Sequence, residues 1–176
     1  TFLDISSYAI YLNTKANNSH NILIEGNYYY GMFAMPISTT GRFIALNPEV
    51  ETYAIVDVKI INNTEYNADT HGITFPAYGA VVSGNEVSGC GKNGIYAWGG
   101  ENMLITNNIV NNNNASGESG RADIAIGGNS AVNTTNITIG NNRAGSYLSS
   151  GFIGTVFITG NNITNPLGIV GGEVVL

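Results

Sequence analysis

Charge is scarce in this chain, and helix-forming pattern scarcer still. Only 10% of the 176 residues are Asp, Glu, Lys or Arg, and 6 basic against 12 acidic side chains leave a net charge of −6. No basic stripe exists to neutralise phosphates, so nucleic acid is not expected as a partner. An acidic surface is likewise not drawn to anionic membranes, and no apolar run is long enough to span a bilayer. The single cysteine, Cys90, rules out an intrachain disulfide frame; in its Gly-rich corner it reads as a structural, inert thiol. No window carries a sustained 3.6-residue apolar period, and Gly and Asn interrupt every candidate helix. There is no Ser-His-Asp order, Cys-His pair, Gly-rich phosphate loop or metal-ligand spacing, so no cofactor is expected.

What is present is a recurring phrase. An aliphatic strand ends in Asn at Asn27, Asn63, Asn85, Asn108, Asn142 and Asn161, at spacings of 36, 22, 23, 34 and 19 residues. Three spacings cluster near about 22, and the two long ones read as one repeat plus an insertion of about 12. A second phrase keeps step: Tyr8-Ala9-Ile10, His71-Gly72-Ile73, Asn93-Gly94-Ile95, Ala122-Asp123-Ile124 and Leu167-Gly168-Ile169. Each repeat thus holds two short apolar strands between Gly- and Asn-rich corners. Hairpins would not return the same residue to the same place, whereas a coil in which each turn stacks on the last does. Stacked Asn side chains hydrogen-bond along the column, and Asn tolerates the left-handed backbone of a sharp corner.

With the Ile-x-Gly-Asn-x-Ile phrase and Gly-Ile between copies, the chain resembles the right-handed parallel β-helix of pectate-lyase-like proteins from about residue 5 to 170. That superfamily includes polysaccharide lyases, epimerases and phage tailspikes. The expected architecture is all-β, a parallel β-helix (solenoid) of six to seven rungs, one domain over residues 1–176, and a rod of roughly 30 Å. Thr1-Phe2-Leu3-Asp4-Ile5 and Gly171-Gly172-Glu173-Val174-Val175-Leu176 both read as strand with no polar cap. The expectation is therefore a segment of a longer chain, or ends covered by partner subunits as in a homotrimer. Two stretches read as departures from the coil. One runs through Tyr28-Tyr29-Tyr30, Met35-Pro36 and Leu46-Asn47-Pro48-Glu49, as a loop or extra hairpin. The other is the polar corner Asn111 to Gly120.

Aligning Ile73, Ile95 and Ile124 puts Thr70, Lys92 and Arg121 in one column and His71 and Asn93 in the next. Asp69, His71, Lys92 and Arg121 are then candidate catalytic residues gathered on one edge. A carboxylate, an imidazole and two cations can bind an acidic sugar, move a proton and stabilise the charge that develops. The resemblance implies Lys or Arg as base in a uronate lyase, often with calcium held by carboxylates. No carboxylate cluster of calcium-ligand spacing supports that metal. Some epimerases of the family carry Asp-Pro-His, where this chain has Asp69-Thr70-His71. If the strand after Asn93 alternates, Ile95 and Ala97 point inward while Tyr96 and Trp98 point outward, with small neighbours, as a candidate stacking surface for a sugar ring.

The resulting expectation is an extracellular or virion-surface module that binds, and as an enzyme would degrade, a polysaccharide as a lyase or tailspike depolymerase. A non-catalytic structural or receptor-binding fibre segment and a polymer-level uronate epimerase are the alternatives.

Overall fold

A computed structural model describes residues 2–3, 8–14, 19–30, 42–48, 55–127, 134–150, 155–170 and 173–175. Every strand pairing among them is parallel. The strands form three faces of one coil. The first face holds Phe2–Leu3, Tyr28–Tyr30, Thr64–Tyr66, Glu86–Ser88, Ile109–Asn111 and the opening residues of Arg143–Ser150 and Asn162–Val170. The second holds Tyr8–Thr14, Arg42–Pro48, Ile73–Tyr78, the start of Ile95–Thr106, Ile124–Gly127 and the later parts of Arg143–Ser150 and Asn162–Val170. The third holds Ser19–Glu25, Ile55–Ile61, Val81–Ser83, the end of Ile95–Thr106, Thr134–Gly140, Thr155–Thr159 and Glu173–Val175. The coil is a parallel β-helix, as the repeat requires.

Three columns of inward residues fill it. Ile24, Ile60, Val82, Ile105, Ile139 and Ile158 stack on the third face. Ile10, Ile73, Ile95 and Ile124 stack on the second, in the register read from the sequence. Tyr29, Glu65, Val87, Val110 and Ala144 stack on the first. Each fully buried aliphatic side chain contributes roughly 2 kcal/mol.

The corners obey a pitch finer than the 22-residue repeat. Left-handed backbone, with φ between 54° and 72°, recurs at Asp57, Asn62 and Asn67, then at Gly79, Gly84 and Gly89, then at Asn102, Asn107 and Asn112. Within a rung these sites lie five residues apart, and only Asn, Asp or Gly stands there, the residues that enter this region at low cost.

Directly after the middle corner comes the ladder Asn. The N–H and Nδ2 of Asn63 both donate to Asn85 Oδ1 at 3.0 Å, and those of Asn85 to Asn108 Oδ1 at 2.9 Å. Asn108 addresses Asn142 in the same way at 2.9 Å, and Asn142 addresses Asn161. Each Nδ2 also reaches back to a carbonyl of the preceding rung: Asn85 to Ile60 O and Asn108 to Val82 O, both at 2.9 Å. One side chain therefore ties three rungs together.

Three expectations need correction. Each rung has three strands rather than two, because the first-face strand is only three residues long with one inward side chain, too short to show as a period. Arg42–Pro48 is no extra hairpin but the regular second-face strand of its rung, with Ile44 in register with Ile10 and Ile73. Met35, Pro36 and Glu49 lie outside the described residues. The 34-residue spacing hides two insertions, not one. The step from corner to next strand is four residues at Asn67 to His71 and Gly89 to Asn93, but ten at Asn112 to Ala122. The step from second to third face is eight residues at Ile95 to Met103 but thirteen at Ile124 to Ile137.

One inward residue is a carboxylic acid. Glu65 is 0% exposed between Tyr29 and Val87. Its Oε1 accepts the Ala68 N–H at 2.9 Å, and its Oε2 accepts the Cys90 thiol at 3.1 Å. Burial pushes its carboxyl from the ordinary 4.5 up to about 8, and burial beside Glu65 raises the Cys90 thiol well above its usual range. The inert thiol expected at Cys90 thus has a structural reason.

Two outcomes follow. Asn85→Ala strands the Asn63 donors and Ile60 O in the interior and should cost about 3 kcal/mol in urea unfolding, whereas Asn62→Gly at the neighbouring corner should change stability by less than about 1 kcal/mol. Glu65 holds its proton more tightly folded than unfolded. Its contribution is therefore complete below pH 4.5 and is lost as pH rises towards about 8. Unfolding midpoints should fall across that window in the wild type and flatten in Glu65→Gln; a parallel slope in both proteins contradicts this assignment.

Candidate functional site

The ladder side of the coil is saturated with hydrogen bonds. The opposite corner, between the first and second faces, is not. Here the chain passes from the corner residues Asn67, Gly89 and Asn112 into the strands that begin at Ile73, Ile95 and Ile124. This is where the candidate residues fall.

Lys92 and Arg121, from successive rungs, come together as their shared column predicts. They do so on a third group that the sequence reading did not single out. Lys92 Nζ lies 3.2 Å from Glu118 Oε1, and Arg121 Nε lies 3.2 Å from Glu118 Oε2. The Lys92 hydrogen bond foremost, then that of Arg121, holds the Glu118 carboxyl below its usual range. The three side chains stay open to solvent, at 29%, 29% and 41% exposure for Lys92, Arg121 and Glu118.

Asp69 sits half-buried one rung away, and burial raises its carboxyl. The four expected groups thus divide: Lys92 and Arg121 meet on Glu118, while His71 lies against Asn93 and Tyr96. His71 is only 7% exposed. Its Nδ1 accepts the Asn93 N–H at 3.2 Å, which leaves the ring proton on Nε2.

Tyr96 and Trp98 alternate outward as expected, with Ile95 and Ala97 fully buried on the other side of the strand. Tyr96 is not an open stacking face, however. The His71 ring lies against it, with centroids 5.3 Å apart and planes 24° from parallel. Its far end leans over Gly127, where a Cβ would come within 2.7 Å of Tyr96 Oη. The small neighbour therefore makes room for the tyrosine instead of exposing it. Trp98 and Gly99 together face the single residue Pro76, because the register slips between Ala97 and Gly100. Trp98 itself is half-buried beside this β-bulge.

Three buried polar atoms on this side, Thr74 Oγ1, Asn93 Nδ2 and Asn114 Oδ1, have no hydrogen-bond partner. Unmet hydrogen-bonding capacity is uncommon in a scaffold and marks this side as different from the ladder.

Sequence reasoning also passed over the polar network that supports the corner. Asn113, one of four consecutive asparagines, starts a second ladder. Its Oδ1 accepts the Cys90 N–H at 3.0 Å and its Nδ2 donates to Asp123 Oδ1 at 2.7 Å. Asp123 takes the place of the next Asn, and its Oδ2 accepts the Ser146 hydroxyl at 3.1 Å. The available signal was the column Gly72, Gly94, Asp123: a carboxylate replaces two glycines where Gly145 beneath leaves it room. Of the three tyrosines, Tyr29 packs inward while Tyr28 and Tyr30 are exposed on the first face. Tyr28 meets Tyr66 edge-on at 6.1 Å, and the Tyr66 hydroxyl donates to Glu86 at 2.7 Å.

Among the described residues no group of three or more His, Cys, Asp or Glu side chains is placed to hold a metal ion. Among the same residues no helix is long and apolar enough to cross a membrane.

Comparison with known proteins bears on the fold alone. No curated protein and no solved structure matches the chain. One family model matches twice, over residues 1–120 and over residues 56–172, and its description is a right handed beta helix region. The repeat, the all-parallel pairing and these overlapping matches agree: the chain belongs to the right-handed β-helix family.

Proposed function

We propose that this protein is a polysaccharide-binding β-helix module, and that an extended acidic glycan lies along the side that carries Trp98, Tyr96, Lys92 and Arg121. The observation behind this reading is the alternation of Ile95–Trp98, which leaves Tyr96 and the chain's only tryptophan on the outer surface of the strand that Lys92 leads into, where Arg121 of the next rung meets Lys92 on Glu118. An indole face stacks on the apolar face of a pyranose, and the cations attract a carboxylate substituent. Tyr96, fixed between His71 and Gly127, serves as the wall of the site more than as its platform.

The geometry favours binding over turnover. His71 Nδ1 is occupied by the Asn93 N–H, and both cations are shared with Glu118. A proton-abstracting Lys or Arg in a lyase or epimerase has to be released from such a partner first. Polymers of this kind are met outside cells, so the same reading assigns the protein to the extracellular space or a virion surface.

A second reading, a structural fibre segment that self-associates, has its own support. The outward column of the third face, Leu23, Lys59, Val81, Leu104, Thr138 and Phe157, is mostly apolar, and Leu23, Leu104 and Phe157 are exposed. A column of this kind suits packing against further copies of the chain.

Binding to a panel of acidic and neutral polysaccharides separates the readings. Trp98→Ala should weaken the best ligand about tenfold, the scale of one aromatic stacking contact. Equal affinity in wild type and variant sinks the platform. In the same preparations, ultraviolet absorbance of unsaturated uronates reports a lyase, and new reducing ends without it report hydrolysis. A stable oligomer by sedimentation, with no ligand across the panel, supports the fibre reading.

A further inference from the structure

On the side read as glycan-binding, the carboxylate that already sits between two cations is the chain's own. Glu118 presents one oxygen to Lys92 and the other to Arg121, each at 3.2 Å, as a free carboxylate bridging two cations would. The segment that carries it is anchored elsewhere. Asn114 N–H donates to Lys92 O at 2.7 Å, Ala115 N–H to Cys90 O at 3.0 Å and Ser116 N–H to Gly91 O at 3.0 Å. These backbone bonds extend the corner of the preceding rung and do not involve the Glu118 side chain. Beyond them the chain turns through Gly117 and Gly120, with φ of +68° and +73°, and at both positions nothing lies within 4 Å of where a Cβ would be. Asn114 Nδ2 donates to Glu118 O at 3.0 Å, so the backbone of the tip is held while the Glu118 side chain reaches out into solvent above it. Its ion pairs are solvent-screened, which makes them weak and readily exchanged for another carboxylate.

We propose that Lys92 and Arg121 form a carboxylate subsite that Glu118 fills while no ligand is bound, and that an acidic glycan enters by displacing Glu118. The proposal rests on the glycan-binding reading of this side and adds an internal competitor to it. A uronate exchanges one carboxylate for another and keeps both cations paired. A neutral sugar that displaced Glu118 would leave two cations unpaired. Glu118 thus discriminates against neutral polymers and sets a threshold that a single weak carboxylate does not pass. Because the two cations hold its carboxyl below the usual range, Glu118 competes as an anion even in mildly acidic solution.

The test is calorimetric binding of an oligogalacturonate and of a neutral oligosaccharide of similar length, with Trp98→Ala alongside. Glu118→Gln should bind the oligogalacturonate about fivefold more tightly than wild type, the scale of two exposed ion pairs lost to competition. The neutral ligand should show no gain. Glu25→Gln, which removes an equal charge from an exposed site off this corner, should leave both affinities unchanged. Lys92→Ala/Arg121→Ala in the Glu118→Gln background should abolish the gain. Binding by Glu118→Gln where wild type shows none also supports displacement. If Trp98→Ala weakens binding but Glu118→Gln is no tighter than Glu25→Gln, the displacement idea is overturned while the glycan reading stands. If no protein, Glu118→Gln included, binds any acidic glycan, the glycan reading falls and takes the subsite with it. Urea midpoints check that Glu118→Gln folds as wild type, which the backbone anchoring of its loop leads one to expect.

Discussion

The amide column from Asn27 to Asn161 is the constraint on which the rest of the coil depends. A three-sided coil must turn sharply several times per rung, and each turn exposes backbone groups that a buried corner cannot leave unpaired. Here the turn residue is left-handed and the next residue is an Asn whose side chain replaces the missing backbone partners, with bonds to the rung ahead and the rung behind. Because every copy needs the same neighbours, the spacing between rungs, the direction of stacking and the register of all three faces follow from it. The aliphatic columns supply most of the burial energy, but aliphatic side chains slide past one another. Amides at 2.9–3.1 Å do not.

That rigidity divides the molecule into two kinds of corner. On the ladder side each amide is paired and nothing is left over for a ligand. On the other side the amide column is replaced by a mixed set: Glu65 and Cys90 inside, the Asn113, Asp123 and Ser146 network beside them, and His71 with Tyr96 over the strand. Burial holds the acid protonated up to about pH 8, and burial with Glu65 beside it keeps the thiol protonated, so near neutral pH and below the pair carries polar atoms without carrying charge. The unpartnered Thr74, Asn93 and Asn114 atoms lie on this side too. Chemistry, where this fold has any, belongs on the side whose hydrogen bonding is not already exhausted.

The coil was legible because its physics is periodic. Gly or Asn before Asn, and Ile after Gly, recur at fixed intervals, and alignment of those intervals placed Lys92 with Arg121 and turned Tyr96 and Trp98 outward. What escaped was set by exceptions to the period. Three-residue strands with one inward side chain, such as Thr64–Tyr66, leave no alternation to detect, and this hid both the first face and the buried Glu65. Glu118 lies in an insertion, so no column addressed it. His71 against Tyr96 is a diagonal contact between rungs that strict column alignment does not list. Asn113 was submerged in a run of four asparagines, only one of which makes the ladder contact.

The two insertions of the long rung leave from either end of a single strand, Ile124–Gly127, and not from the corners five residues apart. A segment of odd length added between the regularly spaced corners would turn every later inward side chain to the outside within its rung, and one of even length would still break the five-residue pitch. Added at the ends of that strand, it changes nothing in the stack. The fold thus separates two routes of divergence. Along two edges the sequence varies only in residue identity, under tight rules. Along the third it is free to vary in length, so new loops accumulate on one flank and a lineage can alter what the rod meets without re-solving how it folds.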